Sequence, residues 1–288
     1  MSENNVASSS GVIASDGVEP CVIGAVHLAD DAVTGTARVE QTIQLLEAAA
    51  FRNCRLVVIP ELAFSNLAGI ALHGVDRSDE VMYTEALHKL QSFARRRQCA
   101  VVTPMLLPAA EGGYHNGAIV INELGAVAGM GAKNCLPGGL VLDESSVFVA
   151  GRGFCVATVA GMRVGVLICY DRRKLANWLA LAAGGVRVVA VLVAGPSDDP
   201  PGAALKQLRV FSRLSRMTAV VASRAGFDVE DGLVLAHEAC TCIVLPTGAV
   251  ACNQSRANVS TLCISQLDQR VVGSAFDDGL EHRVRTVY

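Results

Sequence analysis

Residues 163–178 read R-V-G-V-L-I-C-Y-D-R-R-K-L-A-N-W. Positions 164–168 are an almost unbroken apolar run, the pattern of a strand buried on both faces in a sheet that helices cover. The run ends at Cys169, so a thiol stands where a core strand finishes. In open α/β sheets ligands bind at the carboxyl ends of strands, which makes Cys169, followed by Asp171, Arg172 and Arg173, a candidate nucleophile. Cysteine is also among the most buried residue types, so a packing role for Cys169 is open at this point.

Working outward, the pattern of alternating strands and helices repeats. Residues 21–26 read as a strand, Val39, Ile43, Leu46 and Ala50 recur at helical spacing, and 56–59 read as a second strand, giving a β-α-β unit with parallel strands. Pro60-Glu61 then presents a carboxylate at a strand's carboxyl end, as Cys169 is presented. Leu87, Leu90 and Phe93 mark a helix ending in Arg95-Arg96-Arg97, a run that suits the negative end of the helix dipole. Strands at 99–106, 118–121 and 127–130, separated by glycine turns, form a meander that delivers Lys133. A hairpin at 154–159 and 164–168, a helix at 175–183, a strand at 188–193 and a helix at 203–217 follow. Strands at 218–223, 241–245 and 259–264 close the order, with Pro246-Thr247-Gly248 as a turn. The two halves are similar in plan.

Composition narrows the class. A chain of 288 residues, 51% hydrophobic and 18% charged with a formal net charge of -3, fits a folded single domain and carries no basic footprint for nucleic acid. Residues 1–18 are Ser-, Asn- and Gly-rich and read as a flexible tail, 19–265 as the domain, and 266–288 as a polar C-terminal tail expected to pack at a subunit interface. The ten cysteines form no disulfide framework and mostly sit in apolar runs, so free thiols in a reducing, cytoplasmic setting are expected. Cys240 and Cys242 lack a second Cys or His pair at zinc spacing, and no metal site is expected. No apolar stretch is long enough to span a bilayer, so neither a membrane nor nucleic acid is expected as a partner.

Together, L-V-V-I-P-E-L at 56–62, Tyr114-His115-Asn116 through Lys133-Asn134-Cys135-Leu136-Pro137, and 164–173 around Cys169 resemble the signature of the nitrilase, or carbon-nitrogen hydrolase, superfamily. Residues 144–151 and 242–250 resemble two further blocks, so the likeness covers nearly the whole chain. The resemblance implies an α/β four-layer αββα sandwich, a homodimer or higher homo-oligomer, no cofactor, and a Glu-Lys-Cys triad of Glu61, Lys133 and Cys169 with Glu144 lining the site. Glu61 would move protons, Cys169 attack the carbonyl, and Lys133 with the Tyr170 backbone N–H stabilise the oxyanion. Asn116 joins the expected substrate-binding set. The order C-Y-D-R-R with Asn177-Trp178 is similar to the N-carbamoyl amino acid amidohydrolase and β-ureidopropionase branches, in which an arginine holds the substrate carboxylate. Arg172 or Arg173 would do so here, the other reading being that one of them pairs with Asp171. The implied substrate is a small linear amide or ureido acid, with ω-amidase or nitrilase activity, or a non-catalytic binding protein, as alternatives. His27, Cys135, Lys174-Leu175, residues 212–217 and residues 239–241 depart from the usual pattern.

Overall fold

The computed structural model describes residues 21–30, 35–139, 143–196, 200 and 202–267. Strand β1 (Cys21–Asp30), helix α1 (Gly35–Phe51), β2 (Cys54–Val58), α2 (Leu67–His73), α3 (Arg77–Arg97) and β3 (Ala100–Pro108) open the chain. The meander follows as β4 (Tyr114–Ile121) and β5 (Val127–Ala132), then the hairpin β6 (Val156–Val159) and β7 (Met162–Ile168). Helix α4 (Leu175–Ala183), β8 (Val188–Val193), α5 (Ala203–Ser215), β9 (Thr218–Glu230), β10 (Leu233–Ala236), β11 (Thr241–Val244), β12 (Val250–Gln254) and β13 (Thr261–Leu267) complete it.

The strands run in the order β5-β4-β3-β2-β1-β9-β8-β7-β6. From β3 to β7 neighbours are parallel, and β4, β5 and β6 are antiparallel wings. Alternation along the strands then assigns the layers. Ile23, Ala25, Leu56, Val58, Val102 and Val120 share one buried cluster with Val164, Val166, Ile168, Ala190, Leu192 and Val220, so the two halves of the strand set face each other. The opposite faces of β1 to β4 pack under α1, α2 and α3, and those of β7, β8, β9 and β11 under α4 and α5. This is a single α/β domain with helices outside a double sheet layer. Gly131 lets β5 approach β6 across the layers, because a Cβ there would lie 3.0 Å from the backbone nitrogen of Cys155.

Helices form where the apolar spacing asked for them. α3 starts on a capping box, Asp76 accepting from the Ser78 and Asp79 N–H groups while the Asp79 carboxylate accepts from Asp76, and it ends in three arginines. Its Leu90 and Phe93 are 1% and 0% exposed, each burial contributing about 2 kcal/mol. α1 buries Val39, Thr42, Leu46 and Ala49, the Thr42 hydroxyl donating to the Arg38 carbonyl, and the expected Ile43 and Ala50 pack partly buried against the same core.

α2, the extension of β9, β10 and β12 lay outside the sequence expectation. α2 is short, carries Gly69 within it, and is capped by Asn66 accepting from the Ala68 and Gly69 N–H groups. β9 continues past residue 223 to Glu230 and returns as β10. The polar content of that extension, Arg224 and Asp228, is buried as an ion pair. β13 runs to Leu267, which is 2% exposed and pairs with Cys21. The expected tail 1–18, and 268–288 of the expected C-terminal tail, lie outside the described residues.

Candidate active site

Four strand ends converge on one cavity. Glu61 follows β2, Lys133 follows β5, Cys169 follows β7 and Ala194 follows β8. Cys169 has φ +45°, a left-handed conformation that costs a residue with a Cβ on the order of 1 kcal/mol, and it opens a tight 3-10 turn through Arg173. The half-buried thiol faces a cavity of about 730 Å³. Asp171 ties this turn to the loop after Lys133. Its carboxylate accepts the Cys135 N–H at 2.8 Å, the Asn134 N–H at 3.2 Å and the Ile168 N–H at 3.4 Å. Burial raises the Asp171 pKa, and those N–H groups oppose the shift. Gly151 closes the other side of the loop: its N–H donates to the Lys133 carbonyl at 2.7 Å, and a Cβ there would come within 2.6 Å of the Ala132 carbonyl.

Lys133 is fully buried between two carboxylates, its Nζ 2.9 Å from Glu61 Oε1 and 2.6 Å from Glu144 Oε1. Asn116 Nδ2 donates to the same Glu61 oxygen at 2.8 Å, and the Ala194 N–H donates to Glu61 Oε2 at 2.8 Å. Cys169 Sγ lies 3.3 Å from the carbonyl oxygen of that same Ala194. Glu61 and the thiol thus meet at the two polar groups of one residue.

One ammonium serves two buried acids, and the proton affinities follow. Burial alone would depress Lys133, yet Glu61, Cys169 and Glu144 outweigh it and hold the ammonium well above its usual range. Burial pushes Glu144 up to about 7 against the pull of Lys133. Burial and the neighbouring Glu61 push the Cys169 thiol up to about 12 against Lys133 and Arg172. A standing thiolate is therefore scarce at neutral pH, and the thiol needs a base that acts as it attacks.

Glu61, Glu144, Cys169, Tyr170, Arg172 and Arg173 line the cavity, with Leu62, Leu67, Pro137, Val234 and Leu235 as its apolar wall. Lys133 is buried directly against the cavity-lining Glu61 and Glu144, and Asn116, expected at the substrate, donates to Glu61. Arg172 takes Glu238 as its carboxylate partner, while Asp171 binds backbone. The Arg173 guanidinium lies 5.3 Å from the centroid of the Tyr170 ring, a cation–π contact. Residues 212–217 do not line the cavity. Two departures from the family pattern prove to be partners, His27 Nδ1 lying 2.8 Å from Thr241 Oγ1.

Sequence reasoning passed over Ala194, His237 and Glu238. Ala194 acts through its backbone, which leaves no side-chain signal. Glu238 follows β10, a strand that the apolar pattern did not reveal, so its carboxylate carried no strand-end signal.

A strand-end cysteine beside a buried Glu-Lys-Glu set suits acyl transfer from an amide. The carbon-nitrogen hydrolase family model matches residues 23–275. The chain belongs to the carbon-nitrogen hydrolase family. Among relatives of this hydrolase, an (R)-stereoselective amidase from Pseudomonas sp. is 29% identical over 216 residues, 74% of each chain. A hydrolase of Mycobacterium tuberculosis is 26% identical over 246 residues, 80% of this chain and 83% of that one. The fold matches the amidase from Nesterenkonia sp. AN1 with a TM-score of 0.72 at 19% identity, covering 89% of this chain and 94% of that one. It matches a carbon-nitrogen hydrolase from Helicobacter pylori G27 with a TM-score of 0.76 at 18% identity, covering 88% and 91%. The Nesterenkonia amidase has also been captured with acrylamide added at its active site cysteine.

Proposed function

We propose that this carbon-nitrogen hydrolase is an amidase that cleaves small linear amides through a thioester on Cys169. The observation that carries the reading is the buried Glu61–Lys133–Glu144 arrangement meeting the Cys169 thiol at Ala194. Glu61 takes the Cys169 proton as the sulfur bonds to the amide carbonyl carbon. The carbonyl electrons move to oxygen, where Lys133 and the Tyr170 N–H stabilise the negative charge. Collapse breaks the carbon–nitrogen bond, and the proton held by Glu61 leaves with the amine. Water then attacks the thioester, Glu61 taking its proton and returning it to the sulfur as the carboxylic acid departs. Glu144 holds Lys133 in place, and Asn116 holds Glu61. A homodimer or larger homo-oligomer belongs to this proposal, as does the domain division with tails outside the core.

Within this class, the narrower reading is an N-carbamoyl amino acid or other ureido acid. Arg173 at the cavity wall supports it as the cation for a carboxylate. The test is ammonia release from a panel of simple amides and N-carbamoyl amino acids, with intact mass recorded after quenching. Wild type is expected to release ammonia and carry an acyl adduct. Cys169→Ala is expected to lose both, by a factor of about 10⁴ or more in kcat. Activity surviving in Cys169→Ala would remove the thioester route.

A further inference from the structure

Two arginines follow Cys169, and a guanidinium beside a thiol is a natural anchor for a substrate carboxylate. The inner one is already engaged. Arg172 is 2% exposed, and its Nη2 donates to Glu238 Oε2. Its Nη1 donates to the Cys169 carbonyl at 3.1 Å and lies 3.7 Å from the Cys169 sulfur. Both partners are fixed from behind. The Trp178 indole N–H donates to the Arg172 carbonyl at 2.8 Å, and the Glu238 N–H donates to the Gly195 carbonyl at 3.1 Å.

Glu238 itself lines the cavity together with Cys169, Glu61 and Glu144. A carboxylate entering beside the thiol would have to displace Glu238 from Arg172, leaving an uncompensated charge in a buried site. It would also sit among the carboxylates of Glu61, Glu144 and Glu238, the wall of Leu62, Leu67 and Leu235 offers it nothing polar, and the other cation of the lining, Arg173, stacks on the Tyr170 ring. An uncharged acyl group meets neither obstacle and buries its apolar surface on that wall.

We propose that Glu238 is a specificity-determining residue: by neutralising Arg172 it excludes a carboxylate on the acyl group beside the Cys169 sulfur and selects amides whose acyl group is uncharged, a carboxylate on the leaving amine being left to Arg173. The substrate class rests on the amidase reading, but the charge filter can be read without it.

The experiment compares wild type and Glu238→Gln, a change that keeps the shape and an acceptor for Arg172 while removing the charge. Butyramide and succinamate, matched in carbon count and differing by a carboxylate, serve as substrates. Wild type is expected to favour butyramide by about 100-fold in kcat/KM, and the variant to narrow that ratio at least about tenfold through the KM for succinamate. In parallel, Cys169 is alkylated with iodoacetamide or iodoacetate at one mildly alkaline pH, and the modified site is read by peptide mass. The iodoacetamide to iodoacetate rate ratio at Cys169 is expected to exceed that of glutathione by about tenfold in wild type and to fall toward it in Glu238→Gln.

A wild type that prefers succinamate, or a variant in which both ratios stay unchanged, overturns the proposal. Silence on every amide with the alkylation ratios behaving as expected sinks the amidase reading and leaves the charge filter standing. If Glu238→Gln does not fold, the wild-type alkylation ratio decides, and a value equal to that of glutathione overturns the filter.

Discussion

Glu144 shares one ammonium with Glu61, and burial drives the Glu144 pKa up to about 7 from an ordinary 4.5 against the pull of Lys133. A carboxyl raised in the folded state contributes stability that is complete below the unfolded value and is lost as pH rises through the folded one. The stability difference between wild type and Glu144→Gln is therefore expected to fall by up to about 3 kcal/mol as pH rises from about 4.5 to 7.5. Urea unfolding of the two proteins across that window measures it. A difference that is flat, or that grows with pH, would mean Glu144 is ionised throughout and fully compensated by Lys133. The same residue shows why sequence reading reached the site but not its charge state. The motif named Glu61, Lys133, Glu144 and Cys169 by type, whereas their protonation depends on how far water is excluded from all four together.

At the scale of elements, one buried acid joins parts of the chain far apart in sequence. Asp228 on β9 accepts from the Leu67 N–H that begins α2 at 2.6 Å and from Arg224 at 2.6 Å, and lies 3.9 Å from Arg38 on α1. It also lies 3.4 Å from His237 Nε2, while His237 Nδ1 accepts the Gly195 N–H at 2.9 Å beside the Ala194 that Glu61 and Cys169 share. Burial alone would raise Asp228, but its hydrogen bond to His237 and the Arg224 charge outweigh that and hold it well below the usual carboxylate range. A carboxyl lowered in the folded state contributes stability that is present above the unfolded pKa and is lost as pH falls through the folded one. Asp228→Asn is thus expected to cost about 3–5 kcal/mol at neutral pH, because Arg224 is left without its buried partner, and the deficit should shrink below about pH 4. Chemical denaturation at both pH values reads the effect. A neutral-pH loss under about 1 kcal/mol would place Asp228 among dispensable pairs. Sequence periodicity could not expose this knot, because Arg224 and Asp228 interrupt the apolar pattern of the strand that carries them.

Across the whole molecule, the ten cysteines are all free, and six of them are buried in the core. Burial pushes Cys54 and Cys99 up to about 12 and Cys155 up to about 11, which keeps these thiols protonated and inert. No disulfide staples the fold, so dithiothreitol is expected to leave Tm unchanged within about 1 °C. The homo-oligomer proposed above is expected to sediment identically with and without reductant. A Tm lowered by reductant, or an assembly that dissociates in it, would overturn this account. No helix among the described residues is long and apolar enough to cross a membrane.

Local sequence determined most of the strands and helices, the parallel centre of the sheet and the position of Cys169 at a strand's end, but not α2, β10 or β12. Those properties follow from local apolar periodicity and from glycine turns, which act over a few residues. It also carried the motifs that name the family. Tertiary structure alone decided that Arg172 is committed to Glu238, that Asn116 serves Glu61, that His27 bonds Thr241, and that one backbone residue, Ala194, joins the base to the thiol. Each of these pairs closes over long sequence separations inside a desolvated interior. There, an unpaired polar group is costly, and the fold, not the local pattern, selects its partner.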